Sequence, residues 1–343
     1  MNQNKIAYSI LELATVPKGS SLHTVYQNAV TLAQAAEISG YKRIWFAEHH
    51  NMPAIASSAP QILIGYVAQA TNTIRVGSGG IMLPNHSPFI IAEQFGTLGN
   101  LFPNRIDLGL GRAPGTDPAT TQAIKPGFME ATHAFPNDIE TIQRYFSEEN
   151  KSAKVRVTVA EGVNVPIYIL GSSISSAHLA AQKGLPYAFA SHFATSQFYD
   201  ALRIYKKQFS PSKFLQKPYM LAGVNVFVAD TDEEAEKLYT SYLRLVINIL
   251  SGTTSEYIDE PFEMTSDLKE VMQHPKVQQM VKYTFIGSKQ TVKGQLETFL
   301  EETPIDELMI ASSIYNIDAR IKSVQLFGEI MAEMNAIRSE ECL

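Results

Sequence analysis

The chain has one cysteine, Cys342, and one tryptophan, Trp45, in 343 residues. A lone cysteine in the penultimate position closes no internal disulfide and leaves no cysteine pair for thiol redox chemistry or a zinc site. The sequence also lacks a strong charge of either sign: 28 Lys and Arg stand against 34 Asp and Glu, a net charge of −6. No run of Lys or Arg exceeds two residues, so nothing points to nucleic acid. No stretch reaches the roughly 20 continuous apolar residues of a membrane helix. The opening MNQNKIAYSILEL has neither the basic start nor the apolar core of a secretory signal, and the expectation is a cytoplasmic protein.

What is present is an ordinary globular composition, 45% hydrophobic and 18% charged, arranged in a regular alternation. Short apolar β-type runs occur at 6–13, 41–48, 74–83, 105–111, 166–172, 187–191, 220–229 and 307–312. Amphipathic segments fall near 21–38, 59–71, 88–101, 136–149, 174–183, 195–209, 232–250, 291–302 and 318–336. Nearly continuous apolar strands separated by helices imply a parallel sheet covered on its faces. Eight such units fit a closed (β/α)₈ barrel, for which about 250 residues suffice, so 343 leave room for insertions. Ser20-Ser21 and Asp232 are suited to cap helix starts, Gly40 to end a helix, and Pro166 and Pro186 to introduce strands. A doubly wound open sheet would need a phosphate-binding glycine turn after the first strand, and LELATVPKGSS has none.

Three stretches interrupt the alternation: 112–133 after the fourth strand, 150–165, which has the character of a small β extension, and 251–285 after the seventh. The whole of 1–343 is thus expected to be one barrel domain with insertions after strands four and seven. The 251–285 excursion is open to two readings, a lid over the site and a packing decoration.

In such a barrel the site forms at the C-terminal ends of the strands. Those ends carry Glu12, Glu48-His49-His50, Gly79-Gly80 with Asn85 and His86 beyond, Gly111-Arg112, Gly171-Ser172-Ser173 and Ser191-His192. Adjacent residues leaving a strand point to opposite sides, so His49 and His50 are poorly placed to share a metal, and helical HExxH spacing is absent. One imidazole inside the mouth would serve as acid or base. LGLGRAPGTDP (108–118) reads G-x-G-x-x-x-G, one residue too long for a dinucleotide turn. It places Arg112 to bind a phosphate or carboxylate, or else to pair with a nearby acid such as Asp107. ILGSSISSAHLAA (169–181) runs from strand through serines into helix, which makes an anion cradle or a simple cap. The glycines of VGSGGIMLP (76–84) indicate a bulge or the close approach of a flat ligand.

YKRIWFAEHHNMPAIASSAP (41–60), IRVGSGGIMLPNHSPFIIAEQFGTL (74–98), NRIDLGLGRAPGTD (104–117) and ILGSSISSAHLAAQKGLPYAFASHF (169–193) together resemble the bacterial luciferase-like, flavin-dependent oxidoreductases, and within them the single-subunit luciferase-like monooxygenases. The resemblance implies a (β/α)₈ barrel that binds reduced FMN, or in some relatives F420. It also implies reaction with O₂ to a C4a-peroxyflavin that oxidises a small organic substrate such as an aldehyde. A separate flavin reductase would supply the FMNH₂, and the protein would be a homodimer. By the same resemblance Arg112, Ser173 and Ser176 hold the FMN phosphate, with Gly171 and Ser172 in the same turn. Gly79–Gly80 would be a non-proline cis peptide beside the ring, His49 the catalytic-site histidine with Glu48 beside it, and His50 a support. Gly111 replaces the luciferases' reactive cysteine, and their tryptophan is missing near Ser191-His192, which counts against light emission. Two alternatives stand beside the monooxygenase: an F420- or FMN-linked dehydrogenase, and a non-enzymatic flavin-binding protein.

Overall fold

The computed structural model describes residues 5–340, and Cys342 lies outside them. Eight parallel strands close a barrel: β1 (Ala7–Glu12), β2 (Arg43–Phe46), β3 (Arg75–Met82), β4 (Ile106–Gly111), β5 (Ile167–Gly171), β6 (Tyr187–Phe189), β7 (Met220–Val228) and β9 (Glu307–Ala311). Each pairs with the next in this order, and β9 closes on β1 through Ala7 opposite Glu307. The (β/α)₈ barrel expected from the alternation is the observed fold. Around it run α1 (Leu22–Ile38), α2 (Pro60–Gln69), α3 (Pro88–Leu101), α4 (Pro118–Ile124), α5 (Phe128–Tyr145), α6 (Ile174–Lys183), α7 (Phe198–Gln208), α8 (Asp232–Ser251), α9 (Ser266–Met272), α10 (Pro275–Met280), α11 (Lys289–Glu302) and α12 (Ile317–Glu340). Among the described residues no helix is long and apolar enough to cross a membrane.

Four local expectations need correction. The 150–165 stretch forms no strand; a short 3₁₀ turn at Glu148–Ser152 gives way to irregular chain. The helix expected from 136 begins eight residues earlier, at Phe128, with Pro136 inside it. Proline there leaves the Thr132 carbonyl without its helical donor. Thr231, not Asp232, caps α8, its side chain accepting from the Glu234 N–H, while Asp232 opens the first turn. A further strand, β8 (Thr284–Gly287), ends the 251–285 excursion. Its place follows from unequal strand lengths. The three residues of β6 cover only Met220–Ala222 of the nine-residue β7, and β8 pairs with the remaining edge, Asn225–Val228.

The strands' two faces build two cores. Outward side chains such as Ile44, Phe46, Leu108 and Ile310 pack under the helices in the largest apolar cluster. Inward ones, among them Leu11, Trp45, Tyr168, Leu221 and Met309, fill the barrel. At its N-terminal end the interior is ionic. Arg43, 1% exposed, bridges Asp107 at 2.7 Å and Glu307 at 2.9 Å. Arg75 meets the other oxygen of Asp107 at 2.6 Å, and the Trp45 indole N–H donates to Asp107 at 3.1 Å. Tyr168 and Tyr219 hydroxyls meet Arg43 and Glu307. Removing one member of a buried pair strands the other's charge, typically at a cost of about 3–5 kcal/mol. Asp107→Ala should therefore lower stability by about 3–5 kcal/mol, read as the shift in urea midpoint; a change below about 1 kcal/mol would show that the network is dispensable.

Candidate active site

Alternation along β2 decides where the Glu48-His49-His50 triplet points. Arg43, Trp45 and Ala47 face inward while Ile44 and Phe46 face the helices. His49 continues the inward series into the barrel mouth, and Glu48 and His50 turn the other way. Glu48 is fully buried and accepts from His50 Nε2 at 2.9 Å, His86 Nε2 at 2.9 Å, Asn85 Nδ2 at 3.2 Å and the Met82 N–H at 2.9 Å. Burial alone would raise its pKa. The hydrogen bonds from His50 and His86 outweigh burial and hold it down to about 2, so the group is a carboxylate. It ties the end of β2 to the end of β3 and to the turn at Leu83–Asn85, while Asn85 also donates to the Pro114 carbonyl at 3.0 Å.

His49 is pinned by its backbone, whose N–H donates to the Ser57 carbonyl at 3.0 Å, and by Nδ1, 3.3 Å from the Gly115 carbonyl. That carbonyl assigns the proton to Nδ1 and leaves the lone pair on Nε2. Burial lowers the pKa of His49, with the Gly115 hydrogen bond and Glu48 opposing, so the ring is neutral at neutral pH. Near it in the mouth stands His192, after β6, a strand-end histidine to which the sequence pattern assigned no role. Burial first and His49 second depress its pKa to about 4. The available signal was a histidine at a strand end; the missing information was which way a residue points beyond a three-residue strand.

Arg112 follows β4, lies exposed and makes no ion pair among the described residues. The alternative pairing with Asp107 is ruled out by geometry, since Asp107 sits in the ionic layer at the opposite end of β4. Beside it α6 begins at Ile174 with Ser173 as N-cap, and no side chain bonds there as a cap. The Ile174 N–H donates to Gln197 Oε1 at 2.9 Å. The Ser176 hydroxyl bonds the Ser173 carbonyl at 2.7 Å and Tyr187 at 2.9 Å. It fits there because position 171 is glycine: a Cβ would lie 2.0 Å from Ser176 Oγ. Ser172 is exposed at the turn. A cavity of about 320 Å³ lies between α5 and α6, lined by Arg112, Ser175, Ser176, His133 and His178 and reaching Leu170 on the inner face of β5; Gly171, Ser172 and Ser173 are not among its walls. Its size falls in the usual range of about 300–1,000 Å³ for small-molecule sites.

The Gly79–Gly80 bond is cis. Both residues are glycine for packing reasons: a Cβ at Gly79 would lie 2.8 Å from Leu11 and 3.0 Å from Trp45, and one at Gly80 would lie 2.7 Å from the Gly109 carbonyl. The ladder between β3 and β4 shifts register between Ser78 and Ile81, so the bulge expected from these glycines is present. Among the described residues no three or more His, Cys, Asp or Glu are grouped to hold a metal.

A parallel barrel with polar groups converging at its C-terminal mouth is the arrangement of a barrel enzyme. The sequence profile of the luciferase-like monooxygenases matches residues 7–307, and the chain belongs to that family. It is 42% identical to a luciferase-like monooxygenase of Escherichia coli K12 over 97% of this chain and 99% of that one. It is 31% identical to the N-acetyl-S-alkylcysteine monooxygenase of Bacillus subtilis 168, over 94% and 98%. The crystal structure of apo-MsnO8 superposes with a TM-score of 0.85 at 29% identity, covering 95% of this chain and 98% of that one. Two more distant structures share the fold. The oxygenating constituent of 3,6-diketocamphane monooxygenase, in complex with FMN, has a TM-score of 0.71 at 16% identity over 96% and 98%. An F420-dependent secondary alcohol dehydrogenase has 0.65 at 15% over 95% and 98%.

The pKa of Glu48 lies below its ordinary 4.5, so its contribution to stability is complete above about pH 4.5 and fades as pH falls toward 2. Acidification from about pH 5 to 3 should therefore cost the wild type more stability than Glu48→Gln, measured by urea unfolding. Parallel losses would show that the carboxylate is not held by His50 and His86.

Proposed function

We propose that the protein is an FMNH₂-dependent monooxygenase that inserts one atom of O₂ into a small organic substrate. The observation that carries this is the unpaired Arg112 beside the first turn of α6, where only the Ile174 N–H is taken by a side chain, on a cavity between α5 and α6 that reaches Leu170 at the end of β5. A guanidinium and the first-turn N–H groups beyond Ile174 suit a phosphate dianion, and the cavity suits part of a phosphorylated flavin. Arg112, Ser173 and Ser176 would hold the phosphate, with Gly171 and Ser172 shaping the turn, and Gly79–Gly80 would border the ring. Bound reduced flavin supplies two electrons to O₂, so that one oxygen atom enters the substrate and the other leaves as water. His49, neutral and with Nε2 unengaged, moves a proton at the substrate side; Glu48 holds the wall that carries it.

Water exclusion falls to 251–285, proposed as a lid. Its Ile258 is 1% exposed and bridges to Pro17 beyond β1, and its Gln279 carbonyl accepts from Thr195 beyond β6. The reading includes one domain over 1–343, a cytoplasmic location, a separate flavin reductase as FMNH₂ source, and a homodimer. Ile62 and Tyr66 on α2 and Ile90 and Leu101 on α3, all exposed, are apolar surface available to a second copy.

A second reading, an F420-linked dehydrogenase, draws on the shared fold of the F420-dependent alcohol dehydrogenase. Rapid mixing of the FMNH₂-loaded protein with oxygen separates the two. Substrate oxidation coupled to O₂ consumption supports the monooxygenase, and oxygen-independent turnover with F420 overturns it. Tight FMN binding without either reaction would indicate a flavin-binding protein instead. Arg112→Ala should weaken FMN about 10- to 100-fold and riboflavin less than about twofold, by fluorescence titration. Equal losses for both would show that Arg112 does not meet the phosphate.

A further inference from the structure

His192 stands in the mouth for a reason written into two neighbouring elements. Its backbone carbonyl accepts from Asn225 Nδ2 on β7 at 2.7 Å, and the preceding Ser191 hydroxyl donates to the Gly223 carbonyl at 2.6 Å. Its ring packs edge-on against Phe193, with centroids 4.8 Å apart, and lies over the inner face of β7 at Gly223. A Cβ at Gly223 would come within 2.4 Å of His192 Nδ1, so the imidazole needs glycine at that position. Held in this way, Nδ1 is buried with no hydrogen-bond partner. Nε2 has no partner either, but it belongs to the open side of a residue that is only partly buried.

An orphaned buried N–H is rarer and costlier than an orphaned lone pair. The lone pair of His192 therefore belongs on Nδ1 and the proton on Nε2, directed into the mouth. His49 has the opposite arrangement, with Nδ1–H on the Gly115 carbonyl and the lone pair on Nε2. We propose that these two imidazoles form a donor–acceptor pair for substrate, with His192 Nε2–H gripping an acceptor oxygen and His49 Nε2 accepting from, or taking a proton at, the neighbouring position. His192 is thus a substrate-binding group.

The pair selects by charge. Glu48 is turned away and occupied, and the side chains of Asn225 and Ser191 are engaged. Burial first, with His50 beside His49 and His49 beside His192, lowers the pKa of both rings, so neither supplies a positive charge at neutral pH. The site therefore takes an uncharged carbonyl-type compound in preference to a carboxylate of the same length. The reaction itself rests on the monooxygenase reading; the binding preference does not.

The test uses the FMN-loaded, ¹⁵N-histidine-labelled protein with octan-2-one and octanoate as probes. NMR should show His192 protonated on Nε2 and bare on Nδ1, and octan-2-one but not octanoate should shift the Nε2–H signal. His192→Phe should weaken octan-2-one about tenfold with FMN affinity unchanged within about twofold, and His192→Gln, whose amide nitrogen reaches the Nε2 position, should recover most of that loss. A proton on Nδ1 in the unmutated protein, or full octan-2-one affinity in His192→Phe, overturns the proposal. Failure of the monooxygenase reading would appear instead as FMNH₂ that does not couple O₂ to product, with the tautomer and the ketone shift still in place.

Discussion

One constraint, the alternation of side chains along β2, organises both ends of the barrel. Because Arg43 faces inward, it can neutralise Asp107 and Glu307 at the N-terminal end. Trp45, two residues on, fills the middle and donates to the same Asp107. His49, four residues beyond Trp45 in the same series, arrives at the mouth. A register slip of one residue would bury Glu48 inside the barrel and turn His49 toward the helices. The ionic layer resists such a slip, because moving Arg43 would take the buried guanidinium from Glu307 and one of two guanidinium partners from Asp107.

The outward member of the triplet has its own task. Glu48 gathers hydrogen bonds from β3, from the turn that follows it and from His50, and so fixes the rim on which His49 stands. Removing burial cost by several donors rather than by one cation lets a carboxylate remain ionised without leaving a charged partner exposed in the mouth. What remains unengaged inside is a pair of neutral imidazoles, which suits chemistry that must keep water and stray charge away from the reacting atoms.

The barrel was legible because each apolar run is flanked by turn and cap residues whose spacing repeats. The eight strand positions and the opposite facing of His49 and His50 followed from period alone, whereas Glu48, expected beside His49, is turned away from the mouth and bonded to His50, His86 and Met82. β8 was not legible, since four residues carry little pattern and its position depends on the spare edge of β7 left by a short β6. Nor was the early start of α5, where Pro136 resembles a helix boundary and is instead interior. In the site, Arg112 and the serines could be picked out by residue type. His192 could not be given a role, because its direction depends on Gly223 and Asn225, distant in sequence and adjacent only once the barrel closes. The glycines at 79 and 80 read equally well as a bulge or as room for a ligand, and packing against Leu11, Trp45 and Gly109 accounts for them without a ligand.

The most direct test of the account is a crystal structure of the protein with FMN. The phosphate should lie between Arg112 and the first turn of α6, with the ring extending past Leu170 into the mouth, between the Gly79–Gly80 bond and the histidines. A phosphate bound elsewhere, or a ring that leaves His49 and His192 on its far side from the mouth, would contradict it.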